Sequence, residues 1–276
     1  MVGITRRFLE LLSASGLILG LVMGAVWAEG VLSPIETADE ARGWNGVGRL
    51  ILGDGGICTA VLVGPAQALT AAHCLYDQKS AARLPDDGII FQAGWRSGRA
   101  AIYRGLSRAV IHPDYVYLAG DSAHIGSDIA LLELEQEIRL PQISPFSTGG
   151  GATKGTKVSV ASYAEGRMDS LSIERDCTIL AQGPVQILSC DIGPGSSGAP
   201  VFSMAEGYAE IISIITAKVE YDGKEAALAV MAAEPLARLR EELSRTRPRA
   251  TGVRILTGGN KRGGAKFIRR EVVAGG

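Results

Sequence analysis

An all-β fold, barrel or sandwich, is what this sequence predicts, and three observations carry the prediction. Short apolar runs recur between Gly, Pro and Asp punctuation from Val47 to Met231, at the spacing of strands joined by turns. Glycine is abundant, at 36 of 276 residues, and aromatic residues make up only 5%, a balance that favours tight turns over long helical packing. Helical periodicity is confined to one C-terminal stretch. A hydrophobic fraction of 46% and a charged fraction of 21% supply a sizeable core and exclude a globally disordered chain.

In order, residues 29–43 are polar and mixed and read as a lead-in or pro-segment. Apolar runs then fall at Val47–Leu52, Ile57–Val63, Ala68–Ala72, Gly88–Ala93, Ala100–Tyr103, Ala109–Ile111 and Ile129–Leu134. A Gly/Thr/Lys-rich turn from Thr148 to Lys157 separates them from a second set. That set comprises Val158–Ser162, Cys177–Leu180, Val185–Ser189, Pro200–Phe202, Ile211–Thr216 and Ala227–Met231. From Glu234 to Ser244, Leu236, Leu239 and Leu243 recur among charges at helical spacing and predict the single helix. Residues 245–276 turn Arg/Gly-rich, lose periodicity and read as a basic tail. No internal repeat is present.

The net charge of −1 conceals an asymmetry. Residues 1–28 carry +1, residues 29–243 carry −10 and residues 244–276 carry +8. An acidic body with a basic tail argues against a nucleic-acid-binding domain, whose cations would lie across the fold. The tail's charge suits either a solvated extension or a weak tether to an anionic surface. Arg6 and Arg7 precede a stretch from Leu11 to Ala28 that is apolar apart from Ser13 and Ser15 and ends in Val26-Trp27-Ala28. Small residues at −3 and −1 mark a signal peptide cleaved after Ala28; an uncleaved anchor is the competing reading. Export to the periplasm or beyond would permit disulfides among the four cysteines, Cys58, Cys74, Cys177 and Cys190.

Three local signatures carry chemistry. His73 stands in Leu69-Thr70-Ala71-Ala72-His73-Cys74, at the end of an apolar run. Asp128 opens Asp128-Ile129-Ala130-Leu131-Leu132, a carboxylate at the head of a buried strand. Ser197 lies in Gly193-Pro194-Gly195-Ser196-Ser197-Gly198-Ala199-Pro200, where bracketing glycines can present a hydroxyl beside inward-turned amides. Singly, each has a bland explanation: a satisfied structural histidine, a turn cap and a Gly/Ser turn. A metal centre is not expected, since CxxC and HExxH are absent and histidines number 3. No phosphate loop is expected either, because Thr156 follows Gly150-x4-Gly155 where a lysine is required. No cofactor is predicted.

Taken together and in the order His, Asp, Ser, these signatures resemble those of the chymotrypsin-like (trypsin-fold) serine proteases. The bacterial exported branch of trypsin-like and glutamyl-endopeptidase-like enzymes is nearest. The resemblance spans about residues 44–244 and is strong at the motifs. It implies two six-stranded antiparallel barrels with a C-terminal helix, and a serine endopeptidase acting on protein or peptide substrates. By the same resemblance, Ser197 is the nucleophile, His73 the general base, Asp128 its orienting carboxylate, and the amides of Gly195 and Ser197 the oxyanion hole. It also implies a Cys58–Cys74 bridge behind the histidine, leaving Cys177 and Cys190 to pair. The rival reading is an inactive homologue that keeps the fold for binding.

Two departures matter. Ser196 stands where zymogen-activated members carry the aspartate that pairs with a freed N-terminal amine, so other contacts must hold the Ser197 loop. The substrate pocket is divided. Asp191, six residues before Ser197, occupies the position of the trypsin-type aspartate and leans the expected cleavage towards Lys or Arg. Against that, Ser213 and Ile215 fall where glycines line the family's pocket wall, and Asp191 can equally be a structural carboxylate.

Overall fold

The computed structural model describes residues 31–118, 123–150, 152–204 and 207–245. The leader expected over residues 1–28 and the tail beyond Arg245 lie outside the described residues.

The described residues open on a strand that their composition does not announce. β1 (Val31–Pro34) pairs antiparallel with β9 (Ser172–Gln182), Val31 opposite Arg175 and Pro34 opposite Ser172. Ile35 and Ala41 follow it into the core, beside Tyr163, Leu171 and Ile173. The stretch read as a polar lead-in is thus packed onto the second half of the molecule.

β2 (Val47–Ile51), β3 (Ile57–Gly64), β4 (Gln67–Thr70), β5 (Ile90–Ala93), β6 (Ile102–Ile111) and β7 (Ala130–Leu134) close an antiparallel barrel in the order β2-β3-β4-β7-β6-β5. β8 (Lys157–Ser162), β9, β10 (Val185–Leu188), β11 (Pro200–Ser203), β12 (Glu210–Tyr221) and β13 (Lys224–Met231) form the second, ordered β9-β10-β13-β12-β11-β8 and closed by the β8–β9 pairing. β6 replaces the two shorter runs expected at 100–103 and 109–111. Leu106 in its middle is buried in the core, while Ser107 is exposed and Arg108 pairs with Glu133 at 2.7 Å, so polar residues interrupt the pattern without interrupting the strand.

Strand parity divides the core into three. Cys58, Ala60 and Leu62 of β3 point into the first barrel with Leu50, Phe91 and Leu132. Val61 and Val63, one residue out of phase, point the other way and join Ile129, Leu131, Tyr163, Phe202 and Ile214. Val158, Val160, Ile212 and Ile215 fill the second barrel. The middle cluster is the seam between barrels, and for this reason β3 is buried on both faces and reads as a continuous apolar run. The helix α1 (Ala233–Arg245) adds Leu236, Leu239 and Leu243 to the seam. It follows the last strand of the second barrel yet clasps the first: the Arg240 guanidinium donates to Val63 O at 2.7 Å and that of Arg108 to Leu243 O at 2.6 Å.

Candidate active site

The nominated side chains come from both barrels. β4 ends at Thr70, and a 3-10 turn over Ala72–Leu75 swings His73 out of the barrel wall. The Cys58–Cys74 disulfide, with Cα atoms 6.3 Å apart, fastens that turn to β3. Asp128 sits between a 3-10 turn over Ile125–Ser127 and β7, and its side chain is 5% exposed. Its Oδ1 accepts the His73 backbone N–H at 2.8 Å, and its Oδ2 lies 2.6 Å from His73 Nδ1. Thr216 Oγ1 donates a third hydrogen bond to Oδ2 from β12 in the second barrel. A buried carboxylate beside Nδ1 favours the tautomer with its proton there and its lone pair on Nε2, which has Cys74 Sγ at 3.9 Å. Imidazole and carboxylate thus come from one barrel and the clamp on the carboxylate from the other.

The Ser197 loop is built between the same elements. Thr59 Oγ1 donates to Gly195 O at 2.8 Å and accepts the Tyr163 amide at 3.1 Å; Thr59 N donates to Ser197 O at 2.8 Å. Gly195 has φ +90°, and a Cβ there would stand 2.3 Å from Tyr163 O, so only glycine fits. Gly198 is equally constrained: φ is +79° and an added Cβ would lie 2.2 Å from both Thr59 O and Thr70 Oγ1. Among the described residues neither the Gly195 nor the Ser197 amide donates to another group, so both remain available to an incoming oxygen.

Ser196 is 1% exposed. Its amide donates to Gly193 O at 3.0 Å, and its hydroxyl donates to Ser162 Oγ at 3.3 Å and accepts from Gly193 N at 3.4 Å. Neutral hydrogen bonds hold the loop at the position where an ion pair would stand in zymogen-activated members. Cys177 and Cys190 are also joined, with Cα atoms 5.1 Å apart, tying β9 to the segment entering this loop. Among the described residues, the two places where His, Cys and Glu donors approach one another, around Cys58–Cys74 and Cys177–Cys190, are built on disulfide sulfurs, which offer a metal no thiolate.

Two clefts flank this centre, and Thr216 lines both. One is lined by His73, Tyr115, Tyr117, His124 and Asp128, with Val116 and Leu118 half exposed at its rim. Burial drives the Tyr115 hydroxyl well above the ordinary tyrosine range, the Asp128 charge adding to the effect, so it stays a neutral phenol. The other cleft, about 340 Å³, runs from Ser197 between Ile192–Pro194 and Ile215–Lys218.

Of the residues singled out for the pocket, Ile215 lines the second cleft. Ser213 is fully buried in the seam sheet, its backbone opposite Val201 and Met231, and is not among the lining residues. Asp191 is 74% exposed, stands outside the lining and lies 3.6 Å from Lys218 Nζ. A bulge between Ile215 and Ala217 shifts the register of β12, so Thr216 turns to Asp128 and the wall is continued by Ala217 and Lys218. Thr59, Thr216 and Lys218 are the positions that sequence reasoning missed. Only Thr216 left a signal, as a hydroxyl closing an otherwise apolar run.

Comparison with known proteins places this geometry in a family. The family model for the trypsin-like peptidase domain matches residues 58–209. Venom serine protease 34 of Apis mellifera is 28% identical over 117 residues, 40% of this chain, and the match spans 28% of that protein's length. A solved Glu endopeptidase has a TM-score of 0.65 at 16% identity, covering 78% of this chain and 97% of its own. A thermostable serine protease, AL20, from an extremophilic microorganism has a TM-score of 0.57, also at 16% identity, covering 73% and 98%. Those two likenesses speak for the two-barrel fold, whereas the family model spans more than half of the sequence: the chain belongs to the trypsin-like peptidase domain family.

Proposed function

We propose that the protein is an exported serine endopeptidase that hydrolyses peptide bonds through Ser197, His73 and Asp128. The observation that carries this reading is the buried Asp128 carboxylate held 2.6 Å from His73 Nδ1, in a family member whose Ser197 loop keeps two amides unengaged. Ser197 Oγ attacks the scissile carbonyl carbon as its proton passes to His73 Nε2. The carbonyl oxygen, now an anion, accepts from the Gly195 and Ser197 amides, each such donor being worth about 3–4 kcal/mol in related enzymes. Collapse expels the amine, which takes the proton from His73 and leaves an acyl-enzyme. Water then repeats the sequence, giving its proton to His73 and freeing Ser197. Asp128 holds the imidazole tautomer and stabilises the imidazolium in both halves.

The substrate path is supported by the free edge of β12. Its pairing with β11 ends at Ile214, while its pairing with β13 continues to Tyr221. A peptide laid antiparallel along Ala217–Val219 would find unpaired backbone groups there. Export is supported by the two disulfides, which persist in oxidising compartments.

A fluorophosphonate probe tests the assignment. Covalent labelling that maps to Ser197 and is lost in Ser197→Ala supports it. A folded, disulfide-intact protein that takes no label would favour the binding-protein reading.

A further inference from the structure

We infer that the cleft beside Ser197 selects a medium-sized apolar side chain, such as Leu, Met or Phe, on the residue whose carbonyl is attacked. The inference rests on the peptidase reading and names the substrate class of the same site. Ile192 and Ile215, 5% and 0% exposed, back the cleft from the second-barrel core, and Pro194 and Ala217 complete its apolar lining. No carboxylate lines the cleft among the described residues, and Lys218 is the one ionisable group that does.

That ammonium is already committed. Lys218 Nζ lies 2.7 Å from Glu225 and 3.6 Å from Asp191. Both carboxylates are largely exposed, at 78% and 74%, and both stand outside the lining. The hydrogen bond to Glu225 raises the Lys218 pKa, with the nearby negative charges adding to it, so the cation stays protonated and satisfied in this cluster. An acidic side chain entering the cleft would have to compete with two carboxylates for one ammonium. A basic side chain would shed its hydration in a largely apolar lining with no carboxylate in it among the described residues. An apolar side chain gives up no favourable hydration, and its removal from water is itself the driving force. Two exposed carboxylates thereby share the one ionisable group that lines the cleft among the described residues.

The test is a set of peptides identical except for the residue before the scissile bond, assayed with the disulfide-intact enzyme. Peptides with Leu, Met or Phe there are expected to exceed those with Arg or Glu in kcat/KM by roughly tenfold or more. Calorimetric binding of the same peptides to Ser197→Ala should rank them in the same order, which reads the cleft without the chemistry. Failure of Ser197 to label with a fluorophosphonate would remove the peptidase reading, while the binding order would still decide the cleft. Ala217→Asp, at a half-buried wall position, should raise the Arg-to-Leu ratio by roughly tenfold. A labelled, folded Ala217→Asp enzyme with an unchanged ratio would overturn the lining. A wild-type preference for Arg that disappears in Asp191→Ser would overturn the inference in favour of Asp191. A preference for Glu that disappears in Lys218→Met would overturn it in favour of Lys218.

Discussion

At the scale of single residues, Asp128 is the most heavily engaged group in the candidate site, because one buried carboxylate accepts from a backbone amide, an imidazole and a hydroxyl. Each bond does something different: the amide fixes the His73 turn, the imidazole bond sets the tautomer, and the Thr216 bond couples the two barrels. Asp128→Asn is expected to lower turnover by roughly ten-thousandfold near neutral pH, since an amide can present the wrong partner to Nδ1. Thr216→Val removes one charge-assisted bond worth about 1.5–3 kcal/mol, so a fall in kcat of roughly tenfold or more is expected, with KM little changed. Steady-state kinetics on one unhindered peptide would check both, and a Thr216→Val enzyme at wild-type kcat would show that the clamp does not matter to the chemistry. Sequence reading reached His73, Asp128 and Ser197 because each sits in a contiguous motif. It did not reach Thr216 because a hydroxyl at the end of an apolar run has no visible partner until β12 is laid beside β7.

At the scale of elements, the His73 turn depends on the bridge from Cys74 to β3, and α1 depends on three leucines. Replacing Cys58 and Cys74 with Ser should lower stability by about 2–5 kcal/mol, seen as a reduced thermal midpoint, and should weaken fluorophosphonate labelling as the turn loosens. Leu239 is fully buried in the seam, so Leu239→Ala should remove about 2–5 kcal/mol and lower the unfolding midpoint in urea. His112 lies where α1 meets the first barrel. Burial lowers its pKa below the ordinary 6.5; the Arg238 guanidinium acts in the same direction, and Asp114 and Glu234 oppose it. In the unfolded chain the imidazole therefore protonates first as pH falls. Its contribution to stability is complete above pH 6.5 and is lost as pH drops through the lower folded value. Thermal midpoints at a series of pH values should show a shallower decline in His112→Gln than in the parent. An identical decline would exclude His112 as its source. The elements that escaped the sequence have local reasons: β1 is four residues without alternation, and β6 carries outward charges that break one strand into two apparent runs.

At the scale of the molecule, the two barrels are separately closed and joined by a seam that also receives α1. Placing the candidate site on this seam means that neither barrel alone can assemble it: His73 and Asp128 come from the first, Ser197 and Thr216 from the second. Removing residues 246–276 should leave hydrolysis of a small peptide unchanged, because no chemical motif lies in that stretch. If the +7 charge of residues 246–276 tethers the enzyme, the same deletion should abolish salt-sensitive sedimentation with anionic vesicles. Loss of small-peptide turnover on deletion would instead show that the tail supports the barrels.

What the sequence determined by itself was whatever is encoded within a few neighbouring residues: short strands set off by glycine, the leucine spacing of α1, and the three motifs that nominate His73, Asp128 and Ser197. What only the tertiary structure decided was everything that depends on register between distant strands. Cys58, Ala60 and Leu62 fill a barrel while Val61 and Val63 face a seam, although all five read as one apolar run. After a bulge at Ile215, Thr216 turns to Asp128 and Ala217 and Lys218 continue the cleft wall. Asp191 ends outside that wall, its carboxylate 3.6 Å from Lys218 Nζ. With a side-chain period of two, one residue of slip moves every following side chain to the opposite face, and no local pattern records on which side the slip occurs.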